Sequence, residues 1–163
     1  MTTPSQTVGP FFGFALPYPG DWELVPEGHP GAVTITGRVL DGAGDPVPDA
    51  LLELWTGDPG DRGALGRAGA GVSGFGRCGT APDGSYRFRT APPARPYLAL
   101  LVFARGLLKP VRTRVYLSGV PGPPLDALDP ARRATLLARR EGQDLYRFDV
   151  RLQGEEETVF LEF

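Results

Sequence analysis

The chain carries the stretch Val33-Thr34-Ile35-Thr36-Gly37-Arg38-Val39-Leu40, which indicates the fold clearly. Apolar side chains at Val33, Ile35 and Val39 alternate with more polar neighbours, the period of a β-strand that buries one face. Residues 41–44, Asp-Gly-Ala-Gly, follow at once and have the composition of a turn. The stretch therefore predicts a strand that ends in a tight turn.

Further stretches of strand composition follow along the chain. They cover residues 50–55, 85–90, 97–104, 111–117, 145–152 and 158–163. Residues 97–104 are apolar on both faces, which predicts a strand at the centre of a sheet. One helix is predicted: it begins with Asp129 as the N-cap and Pro130 in the first turn, runs to Arg140 and ends near Gly142.

The length and composition fit one globular domain that is rich in turns. The chain has 163 residues, and its 23 Gly and 18 Pro make up about a quarter of them. Short strands joined by tight turns have this composition. The sequence predicts an all-β, single-domain β-sandwich over residues 33–163. An extended apolar N-terminal arm over residues 1–32 precedes it, and one short helix lies near the C-terminal third.

The predicted arm is rich in aromatic residues, which a solvated tail would lack. Phe12, Phe14 and Trp22 are among them. Leaving such rings in water costs about 25 cal/mol per Å² of apolar surface. The arm is therefore expected to lie either on its own domain or on a partner protein, and the sequence leaves both interpretations open.

Charge and composition disfavour several classes of protein. The chain has 17 basic and 19 acidic residues without a long block of one sign, which gives little support to a nucleic-acid or membrane-surface role. The longest apolar run, residues 97–104, is far shorter than the roughly 20 residues that span a bilayer. The lone Cys78 cannot form an internal disulfide, and the first residues lack the pattern of a signal peptide. We expect a cytoplasmic protein.

The chain alone offers few residues for catalysis or metal binding. Its single histidine, His29, lies in a turn-rich stretch and is expected to be exposed, whereas transition-metal sites need several His or Cys ligands. No motif supports Cys78 and His29 as a nucleophile and its base. Residues 57–74 contain seven Gly and no aromatic residue, which predicts a loop. By itself, the chain is expected to have no active site and no metal.

Two features stand out from this background. The apolar stretch from Thr7 to Phe12 has the ring anchors that are typical of interfaces. Arg105 follows the predicted central strand, and its planar guanidinium suits bidentate binding of a carboxylate. That carboxylate could belong to a ligand, or to Glu53 or a C-terminal glutamate in a structural salt bridge, and both interpretations stay open.

Several motifs resemble those of the intradiol ring-cleaving dioxygenases, and in particular the alpha-type subunits of protocatechuate 3,4-dioxygenases. The motifs are Thr3-Pro4-Ser5-Gln6-Thr7-Val8-Gly9-Pro10-Phe11-Phe12, Leu52-Glu53-Leu54-Trp55, Gly76-Arg77-Cys78-Gly79-Thr80, Gly84-Ser85-Tyr86-Arg87-Phe88-Arg89-Thr90, Leu101-Val102-Phe103-Ala104-Arg105-Gly106 and Tyr146-Arg147-Phe148-Asp149-Val150-Arg151. They span nearly the whole chain in order. The resemblance implies a β-sandwich, in agreement with the pattern of strands and turns.

The resemblance implies a ferric iron held by two tyrosines and two histidines in the iron-bearing chain of the family. Those ligands are missing here: residues 57–74 contain no Tyr, and Tyr97-Leu98-Ala99 stands about where the family has His-x-His. We therefore expect a non-catalytic alpha subunit. The iron would be bound by a beta subunit, and the complex would cleave protocatechuate with dioxygen to 3-carboxy-cis,cis-muconate.

The resemblance also gives the two unusual features a location. Residues that match Thr7, Gly9, Pro10, Phe11 and Arg105 lie near the substrate entrance, at the interface of alpha and beta subunits. Two alternatives are a stand-alone β-sandwich that serves as a binding module, and a self-sufficient dioxygenase with unusual ligands. The single histidine of the chain disfavours the second alternative.

Overall fold

The computed structural model describes residues 7, 9, 12–57, 72–118 and 125–162. Within these residues the chain forms nine strands and very little helix. The strands are β1 Val33–Leu40, β2 Leu51–Trp55, β3 Phe75–Gly79, β4 Ser85–Thr90, β5 Leu98–Phe103, β6 Val111–Val115, β7 Arg139–Arg140, β8 Leu145–Arg147 and β9 Val150–Arg151. The helices are α1 Phe12–Ala15, α2 Pro130–Ala134 and a 3-10 helix, Leu125–Ala127.

The strands form two sheets that pack face to face. The first sheet has the order β4-β1-β8-β7, and β9 also pairs with β1. The second sheet has the order β3-β2-β5-β6. Strand β1 is antiparallel to β4 and parallel to both β8 and β9, so it is the strand around which the first sheet is built. This arrangement confirms the predicted all-β sandwich.

The main hydrophobic core lies between the two sheets. Its fully buried members come from both sheets and from the segment before β1: Leu24, Ile35, Val39, Leu52, Leu54, Phe88, Leu98, Leu100, Val102, Phe148 and Val150. Strand β5 lies between β2 and β6 and is buried over all but its last residue. The apolar run over residues 97–104 therefore forms a central strand, as predicted.

Gly37, Tyr86 and Phe148 fix the centre of the first sheet. A Cβ atom on Gly37 would lie 1.8 Å from the carbonyl oxygen of Phe148, so only glycine fits at this position of β1. The buried hydroxyl of Tyr86 donates a hydrogen bond of 2.5 Å to that same oxygen. Burial raises the pKa of the Tyr86 phenol well above its usual value, which keeps the hydroxyl protonated as a donor.

The segment from Asp21 to Val25 lies between the edges of the two sheets. Leu24 N–H donates to the carbonyl of Arg89 in β4 at 2.8 Å, and Arg77 N–H in β3 donates to the carbonyl of Asp21 at 2.7 Å. Leu24 and Val25 are fully buried. This part of the predicted arm therefore packs on its own sandwich.

Helix α2 begins where the sequence predicts but ends earlier. The side chain of Asp129 caps it by accepting a hydrogen bond from Arg132 N–H at 3.0 Å. The prediction that the helix runs to Arg140 is wrong. Beyond α2, the carbonyl of Leu136 instead accepts from Tyr116 N–H at 3.0 Å, so the chain extends beside β6 and then forms β7.

Other boundaries also differ from the predictions. Residues 145–152 split into β8 and β9, and residues 158–162 form no strand but bond to β6, with Thr113 Oγ1 donating to the carbonyl of Val159 at 2.8 Å. Strand β3 was not predicted, and α1 forms a single turn within the arm. The loop predicted over 57–74 lies largely outside the described residues. In the ranges that the structure describes, no helix is long and apolar enough to cross a membrane.

We expect Gly37→Ala to lower the free energy of unfolding by at least about 3 kcal/mol, the upper end of what overpacking costs, because the clash is with backbone that cannot rotate away. Urea titration followed by tryptophan fluorescence measures this change. Gly79→Ala, in β3, is the matched control and should change stability little, because no atom of the described residues other than its chain neighbours lies within 4 Å of the new Cβ. Equal effects of the two substitutions would contradict the packing argument.

Candidate functional site

The turn that follows β5 places Arg105 at the surface. Ala104 is fully buried and anchors the turn, and Leu107 N–H donates to its carbonyl at 3.2 Å. Gly106 has φ of +89°, a conformation that glycine adopts without strain. The Arg105 side chain, 63% exposed, therefore projects from a turn whose backbone is fixed.

The arm reaches this same turn. Gly106 N–H donates a hydrogen bond of 3.2 Å to Thr7 Oγ1, so Thr7 lies beside Arg105 although the two are distant in sequence. Gly9 is exposed, and apart from its chain neighbours no atom of the described residues lies within 4 Å of where its Cβ would be. Pro10 and Phe11 lie outside the described residues. The structure thus brings together two of the five predicted site residues, Thr7 and Arg105.

The carboxylate partner of Arg105 is one that the sequence did not indicate. Arg105 Nε forms an ion pair with Asp49 Oδ2. Neither Glu53 nor a C-terminal glutamate takes this place: Glu53 is paired with Arg77, whose Nη2 lies 2.6 Å from Glu53 Oε1. Arg105 does form a salt bridge within the chain, but the two partners that the sequence suggested, Glu53 and a C-terminal glutamate, are both wrong.

An open cavity of about 620 Å³ adjoins the ion pair. Its lining includes Asp49, Arg105, Gly106, Leu107, Leu152 and Gln153. A guanidinium beside an open cavity can bind an anionic group there. The cavity thus gives a ligand access to the Arg105 guanidinium, and its lining also includes two carboxylates, those of Asp41 and Asp49.

The position where the resemblance implies iron ligands has a different chemistry. Tyr97 is buried, its ring lies 3.9 Å beneath the guanidinium carbon of Arg114, and its hydroxyl is 3.3 Å from Arg95 Nη1. Two guanidinium groups would repel a ferric ion, and the chain has only one histidine, His29, to offer as an imidazole ligand. These residues do not fit an iron site.

The two remaining candidate residues, His29 and Cys78, have no shared contact in the described part of the structure. His29 is half-buried rather than exposed as predicted, and its Nδ1 has no hydrogen-bond partner among the described residues. Cys78 lies in β3, where burial raises the pKa of its thiol. Its Sγ is 3.3 Å from its nearest hydrogen-bond acceptor, the carbonyl of Gly79. Within the described part of the chain, no three His, Cys, Asp or Glu side chains cluster as metal ligands would.

Comparison with known proteins gives consistent matches. Residues 9–101 match the family model described as Dioxygenase (Dioxygenase_C). The chain is 37% identical over 190 residues to the protocatechuate 3,4-dioxygenase alpha chain of Burkholderia cepacia, with 98% of this chain and 96% of that one aligned. It is also 32% identical to the beta chain of the same enzyme, over 77% of this chain and 66% of the beta chain.

A solved structure matches nearly the whole fold. It is the dioxygenase domain of a dioxygenase and carbohydrate-binding fusion protein from Streptomyces sp. SirexAA-E. The TM-score is 0.59 at 31% identity, and the match covers 94% of this chain and 99% of that domain. The two-sheet sandwich is therefore shared along the full length of the match.

We expect Cys78 to react slowly with iodoacetamide at pH 8. The raised pKa keeps the thiol protonated at a pH where a free cysteine is partly thiolate, and the thiolate is the reactive form. The check is the alkylation rate of the folded protein against the same protein unfolded in urea. A folded rate that equals or exceeds the unfolded rate would show that Cys78 is an activated thiol.

Proposed function

The chain belongs to the intradiol ring-cleaving dioxygenases, beside the protocatechuate 3,4-dioxygenase alpha chains, and we propose that it is the non-catalytic alpha subunit of such an enzyme. A beta subunit would bind the ferric iron that the family requires. The complex would cleave protocatechuate with dioxygen to 3-carboxy-cis,cis-muconate. The proposal includes a cytoplasmic location, which stays a prediction from the sequence.

The chemistry around Tyr97 carries the proposal that this chain binds no iron. Arg114 and Arg95 place positive charge against the tyrosine that stands where the family has a histidine. A chain with a single histidine cannot supply the two imidazole ligands that the family uses. The similarity of this chain to both alpha and beta chains supports an assembly in which the metal lies in the beta chain.

The exposed apolar side chains of the arm support an interface with the beta subunit. Phe14 is 86% exposed, and Leu16 and Tyr18 of the arm are also exposed, as is Leu108 in the connection after β5. Large apolar side chains grouped on one segment are typical of protein interfaces. The arm would therefore be held to its own sandwich by the segment from Asp21 to Val25, while its outer part contacts the partner.

Arg105 is proposed to attract the carboxylate of protocatechuate at the substrate entrance. Its guanidinium is exposed beside an open cavity, and Thr7 lies next to the same turn. The positive charge would raise the local concentration of the anionic substrate and fix its orientation. Thr7, Gly9, Pro10 and Phe11 would form the part of the entrance that the alpha subunit contributes.

We expect iron and protocatechuate-dependent oxygen uptake only when this chain is co-expressed with its beta partner. Iron content and oxygen consumption, measured for this chain alone and for the complex, test the proposal. The beta chain expressed alone is the control for what the alpha chain adds. Iron bound at one atom per chain by this protein alone, with oxygen uptake, would contradict the ligand argument.

Within the complex, we expect Arg105→Gln to raise KM for protocatechuate about 10-fold to 150-fold. This is the free energy of one charge-assisted hydrogen-bond interaction, about 1.5–3 kcal/mol. Catechol, which has the same diol but no carboxylate, is the matched substrate, and its KM should change little. If KM instead rises by the same factor for protocatechuate and for catechol, Arg105 supports the interface and does not bind the carboxylate.

A further inference from the structure

We infer that Asp49 is a positioning residue that fixes the direction of the Arg105 guanidinium, so that its free edge faces the incoming carboxylate. The inference deepens the proposed function and rests on it, since Arg105 must bind substrate for its direction to matter. Asp49 itself is not placed in contact with substrate. Its effect would pass entirely through Arg105.

The contact between the two side chains leaves most of the guanidinium available. Asp49 Oδ2 pairs with Arg105 Nε, the nitrogen nearest the aliphatic stem. Arginine has five N–H donors, and four of them are on the two terminal nitrogens. Among the described residues, Asp49 is the one ion-pair partner of the Arg105 side chain, and its closest contact is to Nε. The carboxylate of Asp49 therefore holds the guanidinium by one edge and leaves a pair of donors for a second carboxylate.

Asp49 is suited to this role because the backbone on both sides of it is fixed. Thr80 Oγ1 donates a hydrogen bond of 2.8 Å to the carbonyl of Val47 and accepts one of 3.0 Å from Ala50 N–H. Thr80 N–H also donates to the carbonyl of Ala50 at 2.9 Å. The turn that carries Asp49 is thus clamped to the residue that follows β3.

The other end of the ion pair is also fixed. Buried Ala104 precedes Arg105, and Gly106 is bonded to Thr7. A free arginine side chain loses rotamer freedom when it binds a ligand, which reduces affinity. Because the ion pair with Asp49 restricts Arg105 before substrate arrives, less freedom remains to be lost on binding.

A second physical effect of Asp49 opposes the first. Its negative charge partly cancels the positive potential of Arg105 and so weakens long-range attraction of an anion. At a site where Arg105 is 63% exposed and Asp49 34% exposed, water and salt screen this repulsion. The effect of Asp49 on the orientation of Arg105 should therefore dominate. Loss of the Asp49 charge raises KM for protocatechuate if orientation dominates, and lowers it if the repulsion dominates.

The test is Asp49→Asn in the complex with the beta subunit, with KM and kcat measured for protocatechuate and for catechol. We expect KM for protocatechuate to rise about threefold to tenfold, the effect of weakening one hydrogen-bonded contact. The kcat values and KM for catechol should stay within about twofold. Asp49→Glu, which restores the carboxylate, should recover at least part of the affinity for protocatechuate.

Asp83→Asn is the matched control. It removes the carboxylate from another surface ion pair, Arg38 Nη2 to Asp83 Oδ2 at 3.2 Å, without touching Arg105. The control should leave KM for both substrates unchanged. Size-exclusion chromatography of each variant complex verifies that the subunits remain assembled.

The outcomes separate this inference from the proposed function. If Arg105→Gln raises KM for protocatechuate and Asp49→Asn leaves it unchanged or lowers it, Asp49 does not position Arg105. The same conclusion follows if Asp49→Asn raises KM for both substrates equally, or if Asp49→Glu recovers nothing. If Arg105→Gln itself has no selective effect, the proposed role of Arg105 fails, and the role of Asp49 fails with it.

Discussion

The close contact of Gly37 with the carbonyl of Phe148 is the constraint on which the sandwich depends. Strand β1 pairs in parallel with β8 and with β9, and Phe148 lies between those two short strands. Its N–H donates to the carbonyl of Thr36 at 2.8 Å, and its own carbonyl accepts from Tyr86 of β4. The backbone of Phe148 thus joins β1, β4 and the C-terminal strands, which an ordinary side chain at position 37 would separate.

The way the chain closes the sandwich also determines where the functional surface can lie. The segment from Asp21 to Val25 bonds to β3 on one side and to β4 on the other, so the arm leaves the sandwich at a fixed point. From there it extends to the turn after β5, where Thr7 accepts a hydrogen bond from Gly106. The arm and Arg105 therefore form one surface because the core holds both the start of the arm and the end of β5.

Local sequence patterns predicted the strands well where the pattern and the packing agree. Strands β1 and β4 have the predicted bounds, because alternation directly reports one buried face. Strand β3 was missed because Gly76-Arg77-Cys78-Gly79 has little strand propensity, and pairing with β2 and packing of Leu24 over Gly76 stabilise it instead. The end of α2 was predicted wrongly for a similar reason, because the hydrogen bond between Leu136 and Tyr116 overrides the helical pattern.

The ion-pair partner of Arg105 could not be predicted from the sequence. No local pattern links Asp49 to the turn after β5, and only the folded chain brings the two together.

The two arginine sites of this chain differ in what surrounds each guanidinium group. Arg114 is half-buried and its guanidinium lies over the buried ring of Tyr97, 3.9 Å from the ring centroid, in a cation-π contact. Arg105 is held by Asp49 at the surface, with its outer donors exposed. A guanidinium packed on a buried ring contributes to the stability of the fold, whereas one at an open cavity is accessible to a ligand. The chain therefore has the sandwich of the dioxygenases, and at its surface Thr7 and Arg105 lie together, with Arg105 beside an open cavity.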